Sequence, residues 1–340
     1  MDSKDRVLET LSGEKPDRVP CFSGMGNVTI HGMEEHGIRF AEAHRNAKKM
    51  ATLAASTYKL FGFESAVVPF DLGIEAEALG CEMNFYDDGS RRILYPTVKT
   101  KILKFGEELN IPDNLGERGR VPLLKEAITL LKEDVSGEVA VGTYVLGPYT
   151  LAGQVMDLNE LLKNSFKNPA EVDKILRKLS EVITIIAQHL KDAGADYITV
   201  REMGAPADVI SPQMFSSMVL GPLSDTIKKI EGPTILHICG NTNPIAQLMY
   251  EAGANAIAVD QKNDVKSTRE RLGDDAVILG NIDPYNVLVK GSTKDVEDAV
   301  RTVIKAGVNG VVPGCDIWPE VPKENMRVLV ESAKRYGKLS

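Results

Sequence analysis

The chain has no run of about 18 or more apolar residues, so nothing in it reads as a membrane-spanning helix. It has no basic block and no basic stretch interleaved with aromatics. Its 40 Lys and Arg stand against 48 Asp and Glu, a net charge of −8, which argues against nucleic acid as a partner. The N-terminus, MDSKDRVLETLSGEK, is charged and helical in pattern and lacks the apolar core of a signal peptide, so a cytoplasmic location is expected. Cysteine is scarce. The four residues, Cys21, Cys81, Cys239 and Cys315, fit no disulfide framework, so a cysteine with a special role is expected to be a ligand or a nucleophile. No low-complexity tract or linker-like stretch interrupts the 340 residues, and one domain spanning 1–340 is expected.

What is present is a recurring phrase. KDAGADYITV, YEAGANAIAV and IKAGVNGVVP each run from a helix end through Gly194, Gly253 or Gly307 into a β-branched run, and LFGFESAVVP around Gly62 is a looser copy. Glycine suits the left-handed position just past a helix. An apolar run with little alternation suits a strand buried on both faces of a parallel sheet. Eight such runs are found, at 18–24, 65–71, 138–147, 196–202, 233–240, 256–261, 276–283 and 309–316. Helical patterns separate most of them. The clearest spans 168–194, where Val172, Ile175, Leu176, Leu179, Val182, Ile183 and Ile186 recur at spacings of three and four. Eight βα units predict an α/β fold, a (β/α)8 TIM barrel, which takes roughly 250 residues. The surplus is assigned to an N-terminal helical extension and a hairpin-like insertion near residues 84–118.

In such a barrel, chemistry sits at the C-terminal ends of the strands. His237 and Cys239 lie two apart in ILHICGNT and so share a face of their strand. Both can reach one ion, and Cys315, at the end of the eighth strand, is the third soft donor on the same rim. Two thiolates and an imidazole select Zn²⁺ over Mg²⁺ or Ca²⁺. Three protein ligands leave a tetrahedral position open, the pattern of a catalytic zinc site. Cys21 and Cys81 have no nearby soft partner and read as small core residues.

The segments PDRVPCFSGMGN, PFDLGIEAEALGCEM, GPYTLAGQVM, GNIDP and GVVPGCDIWPEVPKENMRVLVE together resemble the uroporphyrinogen decarboxylase superfamily over nearly the whole chain. That resemblance implies the same barrel. The decarboxylases carry an Arg-rich loop after the first strand, a Tyr after the Pro-x-Thr-Leu motif and a His near the last strand. Here those places hold SGMGNVT, Gln154 and Cys315, so a substrate with many carboxylates would find few cations, and decarboxylation is rejected. The branch that combines His-x-Cys with a distant Cys is the zinc-dependent corrinoid methyltransferases. The sequence is similar to the methylcobamide:coenzyme M methyltransferases of methanogens.

This resemblance implies Zn²⁺ on His237, Cys239 and Cys315, and transfer of a methyl group from methyl-Co(III) corrinoid, a methylcobamide, to the thiol of coenzyme M. The chain lacks the Asp-x-His-x-x-Gly motif of a corrinoid-binding domain, so a methylated corrinoid protein is the expected partner. The methanol pathway is favoured over the methylamine pathway on overall likeness. Another thiol acceptor, or a non-catalytic zinc- or corrinoid-binding protein, are the competing readings. Arg201 is expected to hold the sulfonate, with Asn27 and Thr29 as helpers, or else to pair with Glu202 or another acid. Glu202 would cap the open metal position, accept the thiol proton, or pair with Arg201. Asp260 or Asp316 would orient His237 through its second nitrogen, or stand solvated on the rim. Asp71 would line the corrinoid funnel or cap the helix after it.

Overall fold

The computed structural model describes residues 1–338. The strands are β1 Ser65–Val68, β2 Glu82–Asn84, β3 Thr97–Thr100, β4 Ala140–Leu146, β5 Tyr197–Arg201, β6 Thr234–Ile238, β7 Ala256–Val259, β8 Ile278–Ile282 and β9 Gly310–Pro313. Seven of them form one parallel sheet in the order β1-β4-β5-β6-β7-β8-β9. Helices lie between them, the longest being Pro169–Asp192, which buries Val172, Leu176, Leu179, Val182, Ile183 and Ile186 as its spacing requires. Gly62, Gly194, Gly253 and Gly307 all take positive φ, from 78° to 110°, where a side chain would be strained.

The predicted first strand is the one that differs. Residues 20–22 do lie between β9 and β1. Val311 N–H donates to the Pro20 carbonyl at 2.9 Å, Phe22 N–H donates to the Val311 carbonyl at 3.2 Å, and Glu64 N–H donates to the Cys21 carbonyl at 2.9 Å. The curled sheet therefore closes, but through a Cys21–Val311 bridge and not a full ladder. The reason lies in two residues. Pro20 has no N–H to donate, and Cys21 N–H goes to the Glu64 carboxylate at 2.9 Å instead of to a neighbouring strand.

The barrel interior is a separate apolar column that includes Phe22, Val67, Tyr144, Tyr197, Ile235 and Leu279. Val7 and Leu11, from the N-terminal helix Ser3–Leu11, pack into the same column and plug its lower end. Arg6 of that helix and Arg18 both hold the buried Glu64 carboxylate, at 2.5 Å and 2.8 Å.

The insertion is a hairpin, as expected, but it is displaced and shorter. β2 and β3 pair antiparallel into their own two-stranded sheet, and most of residues 101–114 is irregular. The polar run DDGSRR cannot bury a face and so makes the connection, and Gly106, Pro112 and Asn114 interrupt regular structure beyond β3. Among the described residues, no helix is long and apolar enough to cross a membrane.

Candidate metal centre and active site

His237 belongs to β6 and Cys239 comes just after its end. Their donor atoms, Nε2 and Sγ, lie 3.1 Å apart, and Cys239 Sγ lies 3.2 Å from Cys315 Sγ. The three donors all fall within 4.8 Å of one another. Tetrahedral zinc bonds of about 2.0–2.3 Å place ligand atoms roughly 3.5–3.8 Å apart, so the donor set fits that ion in type and in size. With the sulfurs this close, a first thiolate accepts a hydrogen bond from the other thiol. This lowers the proton affinity of Cys315 and raises that of Cys239.

His237 is fully buried, and its Nδ1 lies 3.1 Å from the Ala258 carbonyl. A carbonyl only accepts, so Nδ1 carries the hydrogen and Nε2 keeps its lone pair for a metal. The expected orienting carboxylate is thus replaced by a backbone carbonyl of β7. Register explains it: His237 pairs with Ala258, which puts the Ala258 main chain beside the ring. Asp316 is instead engaged with Arg201, Oδ1 accepting from Nη1 at 3.1 Å and Oδ2 from Nη2 at 2.5 Å. Asp260 accepts the Lys262 N–H at 2.8 Å through Oδ1.

Glu202 directly follows Arg201, the last residue of β5, in extended chain, and the two side chains point to opposite sides. Arg201 is in register with His237, shares its inward face and stacks 4.8 Å from the Tyr144 ring. Glu202 faces the helix layer. Its carboxylate accepts from Tyr149 N–H at 2.9 Å, Thr150 N–H at 2.7 Å and the Thr150 hydroxyl at 2.5 Å. Burial still pushes it up to about 7. Glu202 therefore anchors the start of the helix Pro148–Val155 and is turned away from the metal centre, correcting its expected part in catalysis. Its expected pairing with Arg201 is also overturned, since Asp316 holds that guanidinium.

Two other expectations change. Thr29 caps the helix Ile30–His36, its hydroxyl accepting the Gly32 N–H at 3.2 Å, and it is buried and does not line the cavity. Asp71 Oδ1 accepts the Gly73 N–H at 2.9 Å just before the next helix, whose first turn has no side-chain cap. It is a buried partner of Arg120, at 2.7 and 2.9 Å, and of His44 at 2.9 Å. Burial alone would raise its proton affinity; those two partners overcome it and hold the carboxyl well below the usual range. Neither Arg120 nor His44 was legible as a partner, because nothing in their local sequence points back to Asp71. Asn27 is buried beyond the first strand with its Oδ1 unpaired.

A cavity of about 780 Å³ opens above the metal centre, with Cys315 in its wall. The β2–β3 hairpin supplies Met83, Ile93, Tyr95 and Val98, and the segment after β9 supplies Ile317 and Trp318. Among the described residues, Arg201 is the only Lys or Arg on its wall, facing Asp71, Asp260, Asp316 and Glu320.

The model of the uroporphyrinogen decarboxylase (URO-D) family matches residues 2–336. The chain is 32% identical to methylcobamide:CoM methyltransferase MtbA of Methanosarcina acetivorans, covering 98% of both. It is 30% identical to methylcobamide:CoM methyltransferase MtaA of Methanosarcina barkeri, again covering 98% of both. A solved methyltransferase from Methanosarcina mazei superposes with a TM-score of 0.94 at 30% identity, over 99% of each chain. With this barrel and this donor set, the chain belongs to the uroporphyrinogen decarboxylase family and is a methyltransferase within it.

Proposed function

We propose that the chain transfers the methyl group of a methyl-Co(III) corrinoid, carried on a partner protein, to the thiol of coenzyme M, with Zn²⁺ held by His237, Cys239 and Cys315. One observation carries this reading. Three soft donors converge beside a roomy cavity, and among the described residues no fourth His, Cys, Asp or Glu joins their cluster. Zn²⁺ bound there supplies the Lewis acidity that makes a coordinated thiol a thiolate at neutral pH.

The chain's own residues do the rest. The Cys239 and Cys315 thiolates offset the charge of the metal. The Ala258 carbonyl fixes the His237 ring. Arg201 spends both terminal nitrogens on Asp316 and has an unpaired Nε, the donor left for a sulfonate oxygen. Asp260 stands on the cavity wall with one carboxylate oxygen engaged by the Lys262 N–H and is the candidate acceptor for the thiol proton. The apolar wall excludes water from the path between sulfur and methyl carbon.

The test is anaerobic mixing of zinc-loaded protein, methylcobalamin and 2-mercaptoethanesulfonate, with the absorbance of cob(I)alamin as the readout. Demethylation that needs both protein and thiol is expected, and it is lost on chelation. A metal-free sample with its full rate would sink the zinc assignment. Absence of thiol-dependent demethylation would sink the reaction. The methanol-pathway corrinoid protein is the first natural donor to offer, and the methylamine-pathway protein the second.

A further inference from the structure

Trp318 is the only tryptophan of the chain. It lines the mouth of the cavity and is 50% exposed. Tyr285 packs against it, ring centroids 4.9 Å apart at a 41° tilt, and is itself 37% exposed. Lys290 lies 4.4 Å from the Tyr285 centroid, so that ring already has a cation on it and the indole is the open platform. A large aromatic normally buries its area; one held half-bare at a cavity mouth marks a surface that a ligand covers.

The charge of the wall narrows the ligand. Arg201 is balanced by Asp316 and Asp71 by the buried Arg120, so Asp260 and Glu320 are the carboxylates on the wall left without a paired cation. Such a wall disfavours an anionic macrocycle and favours a cationic one. Given the methyl-transfer reading, on which this inference rests, the flat ligand is the corrin ring. Cobalt(III) with its corrin and methyl ligands carries one net positive charge. When the methyl carbon bonds to sulfur, the Co–C electron pair stays on cobalt, and the resulting cobalt(I) corrin is neutral. An aromatic face attracts the first and has no electrostatic hold on the second.

We propose that Trp318, backed by Tyr285, is a positioning residue. It seats the face of the methylated corrin ring over the cavity and favours the charged methyl donor over the spent product. The indole touches no reacting atom; it sets where the methyl–cobalt axis enters.

Equilibrium dialysis of methylcobalamin against the zinc-loaded wild-type chain, Trp318→Ala and Trp318→Phe gives binding without needing turnover. Zinc content and thermal midpoint are measured on the same samples. The alanine variant is expected to bind about tenfold more weakly, and the phenylalanine variant to recover most of that loss. In the methyl-transfer assay the loss falls on KM for methylcobalamin rather than on kcat. Equal binding by all three proteins overturns the inference, and so does the absence of binding to the wild type. Binding in this order without methyl transfer leaves the platform standing and removes the proposed reaction instead.

Discussion

The two ends of the barrel treat buried charge in opposite ways. At the lower end the Glu64 carboxylate is shared by Arg6, Arg18 and the Cys21 N–H. At the upper end Arg201 keeps an unpaired Nε, and Asn27 Oδ1 and Gln261 Oε1 are buried without partners. Thr199 Oγ1, two residues before Arg201, is unpaired as well. Nearly all buried polar atoms in proteins are paired, because leaving one bare costs about 1–3 kcal/mol. Two of these exceptions, Arg201 Nε and Gln261 Oε1, belong to residues on the cavity wall, while His44 Nε2 and Thr143 Oγ1 are unpaired on residues outside its lining, so the cavity wall carries polar positions that a ligand can satisfy. The lower end spends its buried charge on the fold, and the upper end leaves some of its buried polar atoms unspent.

This contrast can be broken by experiment. The largest effect expected is from Cys239→Ala, which should abolish stoichiometric zinc binding and reduce methyl transfer to background, with a thermal midpoint close to that of the metal-free wild type. Zinc retained at one per chain would end the assignment of Cys239 as a ligand. Next, Glu64→Gln removes the buried charge shared by Arg6 and Arg18; Arg6 keeps Asp17 and Arg18 is partly exposed, so stability should fall by about 3 kcal/mol in urea melts, the low end for a broken buried pair. The zinc content of the folded fraction should not change; a variant that loses zinc but not stability would show that the ends are not separable.

At the upper end, Arg201→Lys keeps the charge and loses the fork on Asp316. The KM for 2-mercaptoethanesulfonate should rise about 10–100-fold, with a smaller change in stability than at Glu64. An unchanged KM would free Arg201 from the sulfonate. The smallest effect concerns Glu75, at the upper end of β4 but not on the cavity wall. It is buried, accepts the Leu146 N–H at 2.8 Å, and burial raises it from its ordinary 4.5 to about 7. A carboxyl raised on folding holds more protons in the folded state, so its stability contribution is present below about pH 4.5 and is lost as pH rises to about 7. Glu75→Gln should flatten that part of the stability profile by about 1–3 kcal/mol. An identical pH slope in the variant would show the group to be unshifted.

Much of the framework was legible because it rests on local chemistry. The glycine after each helix, the unalternating strands and the two-residue spacing of His237 and Cys239 each obey rules that act within a few residues. Alternation also applied to Arg201 and Glu202, and should have ruled out their sharing the cavity. The rest depended on partners distant in the chain. Cys21 looks like a strand residue until Glu64 takes its N–H. Asp71 looks like a local turn residue, and it does accept the Gly73 N–H, but its strongest partner is Arg120, 49 residues on, which bonds both its oxygens. The Ala258 carbonyl cannot be foreseen as the partner of His237, because any backbone at that register would serve. Trp318 and Tyr285 carry no local signal; only the fold makes them neighbours.

The β2–β3 hairpin hydrogen-bonds into its own sheet and not into the barrel, yet it forms one wall of the cavity. The two walls are therefore free to diverge at different rates. Substitutions at Met83, Ile93, Tyr95 or Val98 reshape what enters the mouth without disturbing the register that brings His237, Cys239 and Cys315 together. The shape of the mouth can therefore change through a short insertion while the geometry of the three donors stays fixed by the strands that carry them.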